Sequence, residues 1–313
     1  MQKINIWMDC DPGIDDAVAL AAAAASREKL NICGISTVSG NQTVELVTEN
    51  ALKLSAFLGL GDVPVVRGAG EPLMRKIETA DYVHGENGLG NFELPETSKT
   101  ISSENGILFM RDYIMQMPEK DRITLVPTGP LTNIALLLKT FPEVKVRIDK
   151  IVSMGGSSIG GNITAAAEFN IWADPEAAKI VYQSGIPIVM CGLDVTTCCG
   201  LTREQVLALD GSNNPVQHAY GQMLRFYFDA PANSDFDLLW IHDAVTVLYL
   251  TDSWLFNGEY TKVDVDCASD KKRGKTICYK DKNAVRENDS VLMLNHVNLE
   301  AFQKVLLQKL HSF

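Results

Sequence analysis

Residues 4–24 read INIWMDCDPGIDDAVALAAAA, and this stretch sets the expected start of the fold. The apolar run INIWM favours a buried strand, Pro12-Gly13 favours a turn, and the alanine-rich run after it favours a helix. Carboxylates crowded at such a junction repel one another and lose solvation when they are buried, so we expect a ligand that offsets their charge. The crowded residues are Asp9, Asp11, Asp15 and Asp16.

The same alternation of strand and helix continues through the first two-thirds of the chain. More strands are predicted at residues 31–38, 123–128, 150–156 and 186–196, and more helices at 45–59 and 132–140. The last third predicts helices near 214–229, after 242 and from about 298, with a strand or hairpin at 262–280. This alternation predicts an α/β fold with an open, mainly parallel sheet. Because no repeat or Pro/Gly/Ser linker interrupts it, we expect a single domain over residues 1–313.

The composition argues against several classes of protein. No apolar run approaches the roughly 20 residues that span a bilayer, and the first residues lack a signal-peptide pattern, so we expect no membrane partner. The 7 cysteines are scattered without a Cys-x-x-Cys pair, which favours a reducing, cytoplasmic compartment over disulfides or a zinc site. A net charge of −11 disfavours nucleic acid and fits a metal cation or a neutral small molecule better.

Polar residues follow the predicted strands at their carboxyl ends, the edge at which open α/β folds bind ligands. Besides the aspartates, these segments are 39–41, 127–129, 154–156 and 192–194. They should deliver carboxylate, amide and carbonyl groups to one crevice.

The aspartates allow two interpretations. Asp15 and Asp16 could simply cap a helix, but capping does not explain Asp9 and Asp11. Several carboxylates without a nearby Cys or His suit a hard cation, Ca²⁺ or Mg²⁺. Successive helical residues diverge by about 100°, so we expect one of Asp15 and Asp16 to bind metal and the other to bind a ligand hydroxyl.

Residues 160–178 place three polar side chains among small and apolar ones, namely Asn162, Glu168 and Asn170. They could line the crevice and bind sugar hydroxyls. In the alternative interpretation, Asn162 is a turn residue and Glu168 is a solvated surface charge.

Two histidines are candidates for chemistry. His242 precedes Asp243 and an apolar helix; its side chain suits proton transfer, whereas Asp243 could be only a helix cap. His84 lies in a glycine-rich loop, a setting more typical of a mobile surface loop. Nucleotide-binding and serine-hydrolase motifs are absent. An Asp-x-Asp pair also occurs in aspartyl-phosphate phosphatases, but Pro12-Gly13 fits that class poorly.

With these residues in place, the sequence resembles the inosine–uridine-preferring nucleoside hydrolases. The strongest match is DCDPGIDDA (9–17), close to the N-terminal signature of that family. Seven more blocks follow in family order: SGNQT (39–43), HGENGLG (84–90), LVPTGPLTNIA (125–135), MGG (154–156), GNITAAAEFNIWADPEAA (161–178), GLDVT (192–196) and HD (242–243).

The resemblance implies a Rossmann-like core with helices on both faces of the sheet, and a homodimer or homotetramer. It implies one Ca²⁺ bound by Asp11, Asp16, the carbonyl of Thr128 and Asp243. It also implies that ribose hydroxyls are bound by Asp15, Asn41, Asn162, Glu168 and Asn170.

The resemblance assigns the remaining roles as well. It implies that Asp11 is the general base for a water, that His242 protonates the departing base, and that His84 lies near the nucleobase. The base should be sensed by residues 225–243, where Phe226, Tyr227 and Phe228 could stack on it or could divide between core and surface.

The expected activity is hydrolysis of purine or pyrimidine ribonucleosides, such as uridine or inosine, to free base and ribose. Passage through an oxocarbenium-like ribose suits a carboxylate-rich crevice. The alternatives are hydrolysis of another N-riboside, such as nicotinamide riboside, and a non-catalytic nucleoside-binding protein on the same scaffold.

Overall fold

The computed structural model describes residues 3–230, 237–268, 271–279 and 291–313, and a twisted sheet organises them. Its strands are β1 (Ile4–Cys10), β2 (Leu30–Thr37), β3 (Val65–Arg67), β4 (Ile123–Pro127), β5 (Ile148–Met154) and β6 (Ile188–Cys191), then β9 (Phe256–Val265), β10 (Thr276–Tyr279) and β11 (Val291–Val297). A separate ribbon pairs β7 (Gly200–Thr202) with β8 (Leu238–Trp240).

Helices connect these strands. They are α1 (Ile14–Ala24), α2 (Val44–Phe57), α3 (Asp81–His84), α4 (Gly106–Gln116), α5 (Thr132–Thr140), α6 (Phe169–Ala173), α7 (Pro175–Tyr182), α8 (Leu193–Thr196), α9 (Arg203–Asp210), α10 (Pro215–Asp229), α11 (Ala244–Thr251) and α12 (Leu299–Leu310). Two 3₁₀ turns cover Pro142–Arg147 and Ser253–Leu255.

The order of the strands creates a crevice beside β1. In the described sheet the order is β10-β9-β11-β6-β5-β4-β1-β2-β3, and every adjacent pair is parallel except those that include β9. The chain runs outward from β1 through β2 to β3 and then returns to β4 on the other side of β1. Because the connections diverge there, the carboxyl ends of β1 and β4 form a topological switch point, the usual place for a ligand.

Apolar clusters cover both faces of the sheet. Residues of α1, α2 and α9–α12 form one cluster, which receives Met8 and Cys10, whereas residues of α4, α5 and α7 form the other, which receives Trp7. The alternating residues of β1 therefore enter opposite layers. This confirms the predicted α/β fold with helices on both faces.

Most predicted elements are confirmed, but the strand expected at residues 186–196 is wrong in its second half. It ends at Cys191, and Leu193–Thr196 is the short helix α8. A continuous apolar run does not distinguish a buried strand from a buried helix turn, which explains the error. The expected hairpin at 262–280 corresponds to the antiparallel pair β9–β10, although residues 269–270 and 280 lie outside the described residues.

Gly34 gives a test of this packing, because it lies opposite Trp7 in the β1–β2 pair. A Cβ at position 34 would lie 2.4 Å from the Trp7 ring, which is fully buried. We expect Gly34→Ala to lower the free energy of unfolding by about 1–3 kcal/mol in chemical denaturation, because the ring has no space to move. Gly61→Ala is the matched control, since a Cβ there would meet no atom within 4 Å. Equal stability of the two variants would contradict this packing.

Candidate active site

A cavity of about 410 Å³ opens at the carboxyl edge of the sheet, beside β1 and β4. Its lining includes side chains from segments that are distant in sequence. Nine of the predicted site residues line it, namely Asp15, Asn41, His84, Thr128, Asn162, Glu168, Asn170, His242 and Asp243. The structure therefore brings together, in one cavity, polar residues that the sequence analysis predicted to meet at this edge of the sheet.

The floor of this cavity is a cluster of buried carboxylates. Carboxylate oxygens of Asp15, Asp16 and Asp243 lie within 4.8 Å of one another, and all three side chains are buried. Asp16 also accepts hydrogen bonds from the backbone N–H of Gly13 at 3.0 Å and from the hydroxyl of Thr128 at 2.7 Å. Asp16 thus caps α1 and belongs to the cluster at the same time, so the two interpretations of the aspartates are not exclusive.

Asp11 lies next to this cluster and keeps one oxygen without a partner. Its Oδ2 accepts a hydrogen bond of 2.7 Å from the backbone N–H of Asn41. Its Oδ1 is buried and has no hydrogen-bond partner among the described residues. Such an orphaned carboxylate oxygen in a closed site needs a cation or a proton donor.

Two glycines that the sequence analysis missed make room for this carboxylate. A Cβ at Gly40 would lie 2.1 Å from Oδ2 of Asp11, and a Cβ at Gly129 would lie 2.5 Å from Oδ1. Asp11 is therefore inserted between the loops that follow β2 and β4. The motifs SGN and PTG contain these glycines, and their positions just after two strands were the signal in the sequence.

The electrostatics of the cluster favour a cation. Burial, and then the neighbouring carboxylate of Asp16, raise the pKa of Asp15 to about 7. Burial and repulsion from nearby carboxylates also raise the pKa of Asp11 and of Asp243 well above the usual range. Carboxylate oxygens that repel one another, including one that is orphaned, are the donor set of a hard divalent cation. The residues present fit such an ion.

Glu168 and Asn170 line the cavity beside the carboxylate cluster. Glu168 caps α6 through hydrogen bonds to the N–H groups of Asn170 and Ile171, and it accepts another from the N–H of Gly156 at 2.9 Å. Asn170 donates to the carbonyl of Thr128 at 2.7 Å. Glu168 is buried, so the interpretation of this residue as a solvated surface charge is wrong.

Asn162 differs from these residues because it is exposed at the rim of the cavity. Its side-chain oxygen accepts a hydrogen bond of 2.9 Å from the N–H of Phe169. Asn162 thus closes the turn before α6 and also lines the cavity.

Two buried histidines also line the cavity. His84 Nδ1 accepts a hydrogen bond of 3.2 Å from the backbone N–H of Ile14, and His242 Nδ1 lies 2.8 Å from the hydroxyl of Thr196. Burial lowers the pKa of His84 to about 3 and that of His242 to about 4. Both rings are therefore neutral at pH 7.

The loop that carries His84 is anchored rather than free. Gln42 donates to the carbonyl of Gly85 at 3.1 Å. The side chain of Asn50 bridges the carbonyls of Pro12 and Asn87 at 3.2 and 2.8 Å. This contradicts the expectation of a mobile surface loop. No local sequence pattern points to Asn50, because its role depends on contacts with two distant segments.

The three adjacent aromatic residues on α10 divide between different environments. Tyr227 lines the cavity, with its ring 5.7 Å from that of His84. Phe226 packs against Gly90 and faces a neighbouring cavity of about 610 Å³, and Phe228 is buried under the guanidinium of Arg203. Stacking by all three is therefore excluded. Residues 231–236 of the predicted base-sensing segment lie outside the described residues, but Trp240 lines the cavity.

A search for membrane spans gave a negative result: no helix within the described ranges combines the length and apolar character needed to cross a bilayer.

Comparisons with known proteins identify the family. A family model described as inosine-uridine preferring nucleoside hydrolase matches residues 6–304. The chain is 40% identical over 311 residues to a pyrimidine-specific ribonucleoside hydrolase RihA of Photobacterium profundum, covering 98% of this chain and 99% of the relative. It is 37% identical to the protein of the same name from Shewanella woodyi, again over 311 residues, with 98% of each chain covered.

Solved structures agree with this result. A purine-preferring ribonucleoside hydrolase from Gardnerella vaginalis superposes with a TM-score of 0.89 at 30% identity over 98% of both chains. The plant nucleoside hydrolase PpNRh1 superposes with a TM-score of 0.91 at 28% identity over 100% of both chains. Because the family model and the relatives span nearly the whole chain, the protein belongs to the inosine-uridine preferring nucleoside hydrolase family and hydrolyses the N-glycosidic bond of ribonucleosides.

Proposed function

We propose that this ribonucleoside hydrolase binds one Ca²⁺ at the carboxylate cluster and prefers pyrimidine ribonucleosides. The observation that carries the metal proposal is the buried group of Asp15, Asp16 and Asp243 beside the orphaned oxygen of Asp11. The proposed ligands are Asp11, Asp16, the carbonyl of Thr128 and Asp243. The hydrogen bond from Asn170 occupies only one lone pair of that carbonyl, so the other is free for an ion.

The proposed chemistry uses Asp11 as general base. A Ca²⁺ held by these residues would supply positive charge that lowers the pKa of a nearby water. Asp11 then accepts the proton of the attacking water, and the oxygen with no protein partner is the atom available for it. The C1′–N bond breaks as the water oxygen approaches C1′, so positive charge develops on the ribose. The acidic floor stabilises that charge.

The ribose is proposed to lie over the floor, where its hydroxyls meet polar groups already held in place. Asp15, Asn41, Asn162, Glu168 and Asn170 are the proposed partners. Of these, Glu168 is the most constrained, because three backbone N–H groups fix its carboxylate. A substrate held by such groups loses little further freedom on the way to the transition state.

The base is proposed to face the neutral wall formed by His84, His242, Tyr227 and Trp240. His242 would donate a hydrogen bond to the departing base, and His84 would contact the base from the other side. The pyrimidine preference is supported by the relatives named pyrimidine-specific ribonucleoside hydrolase at about 40% identity. Carbonyl-rich pyrimidines also suit a wall that offers N–H donors.

Two further proposals concern the whole protein. A cytoplasmic location is supported by the 7 cysteines, none of which forms a disulfide. A homodimer or homotetramer is supported by the family resemblance, and light scattering on the purified protein tests it.

Substitution of Asp11 tests the mechanism. We expect Asp11→Ala to reduce the kcat for base release from uridine by at least about 10²–10⁴-fold, because it removes the proposed base, while the circular dichroism spectrum stays unchanged. Asp149→Ala is the matched control, since Asp149 is exposed on β5 and remote from the cavity. Turnover of Asp11→Ala near that of the parent protein would refute the mechanism.

Removal of the metal tests the calcium proposal. A chelator should abolish release of ribose and lower the melting temperature, and Ca²⁺ should restore both, because the cation relieves the repulsion among the buried carboxylates. Calorimetry should detect one Ca²⁺ site per chain, and Asp243→Asn should weaken it. If the chelated protein retains its activity and melting temperature, calcium plays no part.

A nucleoside panel tests the base preference. We expect kcat/KM for uridine and cytidine to exceed that for inosine and adenosine by at least about tenfold, which corresponds to about 1.4 kcal/mol of transition-state binding. Release of free ribose is the common readout for all four substrates. Equal values for inosine and uridine would contradict the pyrimidine preference but not the hydrolase activity.

A further inference from the structure

The contact between Thr196 and His242 has no role in the mechanism above. The hydroxyl oxygen of Thr196 lies 2.8 Å from Nδ1 of His242. Thr196 is completely buried, and 9% of His242 is exposed where the residue lines the cavity. The two residues are 46 positions apart in sequence, so only the fold brings them together.

The direction of this hydrogen bond follows from the burial of the hydroxyl. A buried hydroxyl proton needs an acceptor, and Thr196 makes no other side-chain hydrogen bond within the described ranges. We infer from this geometry that the Thr196 hydroxyl donates to Nδ1, which leaves the ring proton on Nε2. Because Nδ1 is engaged with Thr196, Nε2 is the ring nitrogen left for a ligand in the cavity.

Backbone hydrogen bonds connect the segment of Thr196 to the segment of His242. The N–H of Thr196 donates to the carbonyl of Gly192 at 3.0 Å, and the carbonyl of Thr196 accepts from the N–H of Cys199, also at 3.0 Å. The carbonyl of Cys199 in turn accepts from the N–H of Ile241 at 2.9 Å. Two residues of the β7–β8 ribbon continue this contact, since Gly200 pairs with Trp240. A short, fully hydrogen-bonded path thus links Thr196 to the residue before His242.

Trp240 restrains the same ring from another side. Its indole packs edge-on against the imidazole of His242, with 6.1 Å between ring centroids. A ring with one nitrogen bonded and one face packed has little freedom to rotate. The orientation of His242 is therefore set before a substrate arrives.

We propose that Thr196 is a positioning residue that fixes the tautomer and orientation of His242, so that Nε2–H is directed at the departing base. This inference rests on the leaving-group role proposed above for His242. As the C1′–N bond breaks, its electron pair moves onto the base, and a hydrogen bond from Nε2–H stabilises that charge. Nδ1 of His84 also accepts a hydrogen bond, but the donor is the backbone N–H of Ile14. A side-chain substitution can therefore remove the hydrogen bond at His242 but not the one at His84.

The test compares two leaving groups with Thr196→Val, which keeps the shape of the side chain and removes the hydroxyl. For uridine we expect kcat to fall by about tenfold or more, with KM little changed, because a general acid or hydrogen-bond donor contributes about 10²–10⁴-fold when it is well placed. For p-nitrophenyl β-D-riboside, whose leaving group departs as a stable anion, we expect no loss. Thr196→Ser, which keeps the hydroxyl, should turn over uridine at a rate near that of the parent protein.

Two control variants make the result specific. Thr197→Val removes the hydroxyl of the next residue, which bonds to the carbonyl of Leu193 within the same helix, and should change neither substrate. His242→Ala should lose activity on uridine and keep it on the nitrophenyl riboside. The double variant Thr196→Val/His242→Ala should be no less active on uridine than His242→Ala alone, because the two residues act through one hydrogen bond.

The ring itself supplies a readout independent of turnover. Nitrogen NMR of the histidine side chains, 5 in this chain, should give the Nε2-protonated tautomer for His242 in the parent and a mixture of tautomers in Thr196→Val. If Thr196→Val does not fold by circular dichroism, Thr196→Ala provides the same comparison.

The outcomes separate the two proposals. If His242→Ala reduces turnover of both substrates equally, the leaving-group role of His242 fails, and the positioning role falls with it. If His242→Ala distinguishes the substrates but the Thr196 variants do not, only the positioning role is overturned. An unchanged tautomer of His242 in a folded Thr196→Val or Thr196→Ala protein overturns it as well.

Discussion

Repulsion among buried carboxylates at the carboxyl edge of the sheet is the constraint on which the site depends. Burial raises the pKa of Asp11, Asp15, Asp16 and Asp243, and repulsion from neighbouring carboxylates raises the pKa of Asp11, Asp15 and Asp243 further. Only part of this penalty is offset by hydrogen bonds from backbone N–H groups and from Thr128. The remainder is the physical basis of the proposed cation site, because a cation or a positively charged transition state would balance the carboxylates.

Residues around the carboxylate cluster make close contacts that position its side chains. Gly40 and Gly129 leave space for the carboxylate of Asp11, and the cap of α1 uses Asp16 itself. Asp16 therefore belongs both to the N-terminus of α1 and to the carboxylate cluster. The return of the chain to β4 beside β1 brings the loop that contains Gly129 against Asp11.

The lining of the cavity combines acidic and neutral groups. The floor is acidic and suits a ribose that gains positive charge, whereas the wall carries neutral histidines and aromatic rings and suits a base that gains negative charge. In the proposed binding mode, each charge that develops along the breaking C1′–N bond would meet groups that stabilise it. The contact of Thr196 with His242 belongs to this pattern, because it gives the neutral wall a directed donor.

The sequence by itself determined the class of the fold and the acidic cluster. Strand and helix periodicity, together with polar residues after the strands, predicted that Asp15, Asn41 and Thr128 lie at one edge, and all three line the cavity, since these signals are local. Asp9 instead bonds to Ser36 and Asn133, and only the structure decided between the two interpretations of Glu168. Only the tertiary structure decided that Tyr227 faces the cavity while Phe226 and Phe228 do not, that the loop of His84 is anchored, and that Thr196 meets His242. These outcomes depend on the packing of segments far apart in the chain, and no local pattern of residues encodes such contacts.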